Sequence, residues 1–230
     1  MSRRRIVFAF LIASLFRATT GPAHPGALQP VALRDICVTN GEIRTGPDGR
    51  LRIDSPSSRA VLRFRSQPAV EIRFTYLGPT AKSKPLASGE LRRQIGIKLR
   101  AENTCNLVYA MWHIEPDSRV AVSIKRNPGM STHEQCHAGG YVNLQQSGDA
   151  APPKIVAGQT HTLRAELRGA SLVVSADGVE AWHGDLGPVI ASFDGPVGLR
   201  TDNARFAFDY IVGAAKPGSA PPDCRQTPGD

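Results

Sequence analysis

The chain has 230 residues, with 28 Lys and Arg against 20 Asp and Glu, a formal net charge of +8, and 41% hydrophobic residues. Beyond the first few residues the cations are scattered rather than run together, which argues against a nucleic-acid-binding protein and leaves a diffuse attraction for acidic polymers at most. No stretch after residue 27 approaches the roughly 18 apolar residues of a membrane-spanning helix.

Arg3, Arg4 and Arg5 precede the apolar run IVFAFLIASLF (6–16), and the small residues of RATTGPAHPGA follow. This is the pattern of a secretory signal peptide, with cleavage near Ala23 or Ala27. No Cys closes the apolar run, so no lipid or membrane anchor is expected after its removal. Arg3, Arg4, Arg5 and Arg17 leave with the leader, and the mature charge falls to about +4. The expected location is secreted or periplasmic. There the four cysteines, Cys37, Cys105, Cys136 and Cys224, read as two disulfides. Three pairings are possible; the simplest joins Cys37 to Cys224 and Cys105 to Cys136. Residues 28–213 are expected to form one domain, and the Pro/Gly-rich tail 214–230 to be tied back through Cys224.

The mature sequence alternates with period two. VEIRFTY (70–76) sets Val70, Ile72, Phe74 and Tyr76 against Glu71, Arg73 and Thr75. After the Pro/Ser/Lys loop GPTAKSKPLASGE (78–90), QIGIKLR (94–100) sets Ile95, Ile97 and Leu99 against Gln94, Lys98 and Arg100. CNLVYAMWHI (105–114) is apolar on both parities, and RVAVSIKR (119–126) alternates again. Such runs, broken by Gly, Asn and Asp turns, predict half-buried antiparallel strands and a two-sheet sandwich or jelly roll.

STHEQCHAGGY (131–141) contains His133, Glu134 and His137 in H-E-x-x-H spacing. A zinc protease needs that motif on a helix, with a third ligand downstream. Here a strand ends at Arg126, NPG turns the chain, and AGGYVNL resumes extended structure, so at most two helical turns fit. Cys136 falls inside the motif. The stretch therefore reads as a loop beside a disulfide; no metal or other cofactor is assigned. His133, His137 and His113 would make a looser metal set, but surface histidines beside a bridge are the expected arrangement.

HTLRAELRGASLVVSADGVEAWHGDLG (161–187) reads as three strands with two tight turns, and GPVGLRTDNARFAFDYIVG (195–213) as two more. These segments resemble the end of a concanavalin A-like (laminin G-like) jelly roll, most similar to the 3-keto-disaccharide hydrolase family, also called domain of unknown function 1080. The resemblance implies that the final strand pairs beside the first, which would bring Cys37 close to Cys224. It implies structural roles for Gly195, Gly198 and the Asp177-Gly178 turn. No family catalytic motif carries over, and the Glu-x-Asp-x-x-Glu strand of laminarinase-type relatives is absent.

A ligand site is expected on the outward face of one sheet. If Trp112 is buried, its strand presents Tyr109, Met111 and His113 outward, and neighbouring strands add Arg73, Gln94, Lys98, Arg100 and Lys125. Trp112 is the aromatic candidate if the strand faces the other way. Aromatic rings offer a flat apolar surface to a sugar, and Arg, Lys, Gln and His bind hydroxyls or carboxylates. Glu71, Glu102 and Glu115 are the nearest acids, and Glu102 is the candidate for catalysis. The expectation is an exported, monomeric, all-β module that binds carbohydrate, with acidic glycans favoured. The alternatives are a glycan-cleaving hydrolase of the same fold and a non-catalytic envelope or interaction protein.

Overall fold

The structure, a computed structural model, describes residues 28–65, 69–145, 151–213 and Cys224. The expected leader (1–27) and most of the expected tail (214–230) lie outside these residues. The strands run in chain order as β1 (Gln29–Pro30), β2 (Ile36–Asn40), β3 (Arg44–Thr45), β4 (Leu51–Ile53), β5 (Ser57–Leu62), β6 (Ala69–Pro79), β7 (Arg93–Leu99) and β8 (Leu107–Glu115). They continue as β9 (Arg119–Lys125), β10 (Tyr141–Asn143), β11 (Thr160–Arg168), β12 (Ser171–Ala176), β13 (Val179–Asp185), β14 (Gly198–Asp202) and β15 (Ala204–Val212). A one-turn helix, α1 (His133–Cys136), lies between β9 and β10. Among the described residues no helix is long and apolar enough to cross a membrane.

Two antiparallel sheets form a jelly-roll sandwich of the concanavalin A-like type. The first has the order β13-β12-β11-β6-β15-β4-β3, with β1 added on β15. The second has the order β10-β9-β8-β7-β14-β5-β2. The alternation seen in the sequence is the reason: in β6, Val70, Ile72, Phe74 and Tyr76 are buried between the sheets, while Glu71, Arg73 and Thr75 face outward. Opposite them, β8 points Val108, Ala110, Trp112 and Ile114 into the same core.

Aromatic edges lock the centre. Phe74 meets Trp112 and Phe206 edge-on, with ring centroids 5.8 and 5.6 Å apart, a favoured geometry for ring quadrupoles. His161 packs beside Trp112 and Phe74. Its Nε2 accepts the Val156 N–H at 3.3 Å, so Nδ1 carries the proton and donates to Asp177 at 2.7 Å. The Asp177-Gly178 turn is thereby anchored to the core.

Both disulfides pair as the simplest scheme has them: Cys37 with Cys224, Cα atoms 5.5 Å apart, and Cys105 with Cys136, 5.9 Å apart. The first closes a sequence separation of 187 residues, worth about 4–5 kcal/mol in the chain-entropy picture. The final strand does pair with the first, β15 with β1, and also with β4 and β6; Cys37 itself sits on β2, at the edge of the other sheet. Gly195 and Gly198 serve close packing. A Cβ on Gly195 would lie 2.0 Å from the Ala101 carbonyl carbon, and one on Gly198 2.2 Å from the Ala60 oxygen.

Because Phe74 joins the two sheets at the centre of the aromatic cluster, Phe74→Ala is expected to lower unfolding free energy by about 3–5 kcal/mol, measured by urea denaturation with the disulfides intact.

Candidate functional site

The register of the second sheet assembles its outward face row by row. Asp202, Gln94, His113 and Arg119 lie side by side across β14, β7, β8 and β9. The next row is Arg59, Arg200, Gly96 and Met111. A third holds Gly198, Lys98, Tyr109 and Ser123, and beyond it Lys125 of β9 pairs with Tyr141 of β10.

Asp202 is the electrostatic centre. Its Oδ1 accepts from Arg59 Nη2 at 2.7 Å, and its Oδ2 from Arg200 Nε at 2.9 Å and Gln94 Nε2 at 2.5 Å. Burial on its own would raise the Asp202 pKa. The guanidiniums of Arg200 and Arg59 and the Gln94 hydrogen bond outweigh it, holding the carboxyl well below the usual range. Asp202 is thus a fixed anion with its acceptor sites engaged by protein donors.

The aromatic part adjoins it. Tyr109 and Tyr141 stack with centroids 6.0 Å apart. The Arg200 guanidinium lies 5.1 Å from the Tyr109 ring centre, and Lys125 Nζ 5.3 Å from that of Tyr141. Tyr141 is 39% exposed, whereas Tyr109 is buried, so Tyr141 is the ring a ligand can reach.

Two loops wall this face. The loop after β6 folds back over the sheet because Asn203, in the turn between β14 and β15, holds it. Asn203 Oδ1 accepts the Lys84 N–H at 2.7 Å, and Nδ2 donates to the carbonyls of Lys84 and Arg92 at 2.9 and 3.1 Å. The backbone of Asn203 is left-handed, φ 53°, a conformation Asn tolerates better than most residues. The other wall is α1. A reciprocal Thr132–Gln135 capping box starts it, Cys136 anchors it to Cys105, and Lys125 Nζ donates to the His137 carbonyl at 2.9 Å.

Between the walls lies a cleft of about 240 Å³, with Arg59, Tyr109, Lys125, Arg200 and Asp202 on its floor. Lys84, His133, His137 and Tyr141 line its sides. Among the described lining residues Asp202 is the one carboxylate, against four Lys and Arg side chains. The field at the opening is therefore positive.

His113 sits behind this floor between two guanidiniums: Arg92 Nη1 is 3.2 Å from Nε2, and Arg119 Nε donates to Nδ1 at 3.2 Å. Burial, then the charges of Arg92, Arg119 and Arg200, push its pKa down from 6.5 to about 3. A neutral imidazole accepts at one nitrogen only, and a proton would leave it none.

The structure brings together Gln94, Lys98, Tyr109 and His113 from the sequence reading, with Lys125 beside them. Trp112 points into the core. Arg100 leaves β7 with a left-handed backbone and donates to the carbonyls of Ile190 and Phe193. Arg73 lies on the outer face of the other sheet, paired with Glu71. Glu102 is exposed in the β7–β8 loop, where it accepts the Asp194 N–H at 3.3 Å, and it is not among the residues lining the cleft. Strand parity identifies a face but not the sheet to which the face belongs, which is why Arg73 is separated from Tyr109; Arg100 is separated because β7 ends at Leu99 and the chain turns there. The sequence reading missed Arg59, Lys84, Tyr141, Arg200, Asp202 and Asn203. The alternation in GLRTD holds the signal for Arg200 and Asp202 once β14 is known to lie between β7 and β5.

No protein-family model and no curated protein sequence matches the chain. Among solved structures it is similar to a carbohydrate-binding module, CBM66 from Bacillus subtilis: 15% identity, 79% of this chain and 93% of that chain covered, TM-score 0.52. The Crh5 transglycosylase in complex with NAG aligns at 12% identity over 85% and 87% of the two chains, TM-score 0.49. A homodimeric agglutinin from chicken liver, CG-16, aligns at 11% identity over 67% and 98%, TM-score 0.43. At 15% identity the likeness to CBM66 shows the jelly-roll fold alone.

Two outcomes are expected from this geometry. Below pH 6.5 the unfolded chain protonates His113 and the folded chain does not, so stability falls with pH until the folded value near 3. The slope from this residue approaches about 1.4 kcal/mol per pH unit. Urea unfolding at several pH values should show it in the wild type and lose it in His113→Gln. In Asn203→Gly, which keeps the backbone conformation but removes the side-chain bonds, amide exchange should accelerate between Lys84 and Arg92 while the core strands stay protected.

Proposed function

We propose that this chain is an exported, monomeric carbohydrate-binding module that takes an acidic glycan in the cleft between the β6–β7 loop and α1. The observation that carries this reading is a cleft with four cationic side chains, a reachable tyrosine ring, and a single carboxylate already committed to Arg59, Arg200 and Gln94. Tyr141 offers a platform for one sugar face, and Arg200, Lys84 and Lys125 supply the positive field for uronate or sulfate groups. Two disulfides accord with an oxidising, extracellular or periplasmic location.

Retention is favoured over cleavage. Two-carboxylate hydrolysis needs acids about 5–10 Å apart on either side of the scissile bond, and the described lining of this cleft provides no second acid beside Asp202. The resemblance of residues 161–213 to the 3-keto-disaccharide hydrolase family is carried by turn and core positions, and a shared fold does not carry chemistry with it.

Affinity electrophoresis through gels containing polygalacturonate, a sulfated glycan or a neutral glucan tests the reading. Acidic polymers should retard the mature protein, the retardation should fall as salt rises from about 50 to 300 mM, and Tyr141→Ala should weaken it about tenfold, a loss of about 1.4 kcal/mol. Equal mobility in all gels, or release of small products in a parallel mass-spectrometric screen, would overturn it.

A further inference from the structure

Five histidines fall among the described residues, and three have clear structural partners. His113 lies between Arg92 and Arg119, His161 donates to Asp177, and His183 pairs with Glu180 at 2.7 Å. His133 and His137 differ. Neither imidazole has a hydrogen-bond or ion-pair partner among the described residues; what each ring meets is the other, centroid to centroid at 6.0 Å and edge-on. Both line the cleft.

The turn that carries them is held at three points. The capping box holds its start, Cys136–Cys105 holds its buried side, and Lys125 holds the His137 carbonyl. His137 also occupies a backbone conformation, φ 44° and ψ −129°, that favours glycine. Glycine at this position would relieve the backbone.

We propose that His133 and His137 form a two-histidine site for a divalent transition-metal ion, Zn²⁺ or Cu²⁺, whose open coordination positions accept a carboxylate of the bound glycan. Metal–nitrogen bonds of about 2.0–2.1 Å put each ring centroid roughly 3 Å from a shared ion, so the observed separation requires only side-chain rotation. No third His, Cys, Asp or Glu joins the pair among the described residues, which leaves positions for an external ligand. This is not the protease arrangement: α1 is one turn long and Cys136 is bridged.

The surrounding charge sets the behaviour of the site. Lys125 and Arg200 nearby weaken the hold of the two imidazoles on a dication without abolishing it, an accompanying anion offsets that repulsion, and an anionic sugar is held more firmly when the dication is present. Metal and glycan should therefore reinforce one another, each raising the affinity of the other by the same factor. This second half rests on the acidic-glycan reading; the metal site does not.

The test uses the mature chain without a polyhistidine tag. Calorimetric titration with ZnCl₂, and with Cu²⁺ followed by electron paramagnetic resonance, should show one ion per chain. Affinity should fall about tenfold or more in His133→Ala and in His137→Gly, and stay unchanged in the control His183→Ala. His137→Gly removes the ring while relaxing the backbone, so loss of binding in it is not a folding defect. No saturable uptake, or uptake that both variants retain, would overturn the site. In polygalacturonate gels Zn²⁺ should strengthen retention about fivefold to 100-fold, reversibly with chelator and not in the two variants. Zn²⁺ binding with unaltered retention would overturn the bridging role. Zn²⁺ binding with no retention on any glycan would overturn the acidic-glycan reading and leave the metal site standing.

Discussion

One buried carboxylate organises the second sheet. Asp202 ends β14 and accepts hydrogen bonds from β5 through Arg59, from β7 through Gln94, and from its own strand through Arg200. Arg59 also donates to the carbonyls of Ser58 and Thr201. Three adjacent strands are thus tied by one anion, on the face where no opposing sheet covers them. Burying charges is expensive, and such a group is tolerated because the partners are close and numerous; removing one partner strands the others. The same grouping orients the Arg200 guanidinium over Tyr109 and towards Tyr141. The cleft's shape and its positive field have a common origin.

The sandwich and the cleft share β8 as their dividing wall. Its inward residues complete the core around Trp112, and its outward residues are buried as well. Leu107, Tyr109 and Met111 join Cys37, Val61 and Ala101 in a second apolar cluster, with Cys224 packed against it. The Cys37–Cys224 bridge thus contributes area as well as connectivity, carrying a sulfur onto a face that would otherwise expose apolar surface.

Much of the fold could be read from alternation alone. VEIRFTY, QIGIKLR, RVAVSIKR and HTLRAELRG each became strands with the anticipated side inward, because a half-buried strand has a period of two and few other ways to hide its apolar residues. The site was legible only in part. Gln94, Lys98, Tyr109 and His113 share a face because β7 and β8 are joined as neighbours. Arg59 lies on β5 and Asp202, with Arg200, on β14, 143 residues further along the sequence from Arg59 to Asp202, and local pattern carries no information about such pairing. Asn203 was hidden differently: its work is done by a side chain reaching a loop more than 100 residues earlier.

The position of β14 has a further meaning for how the chain matures. It is the penultimate strand in sequence but sits in the middle of the second sheet, between β7 and β5. β15, the last, sits between β6 and β4 in the first. Until residues 198–212 arrive, each sheet is split into two halves with unpaired edges facing one another. Contacts of such long range are slow to form. A chain emerging from its amino terminus therefore keeps both gaps open until nearly all of it is available, and Asp202 then meets Arg59 and Gln94 in the same step that closes the sheet. Truncation just before β14 would remove only a short carboxy-terminal piece of the sequence, yet would leave neither a sandwich nor a floor for the cleft.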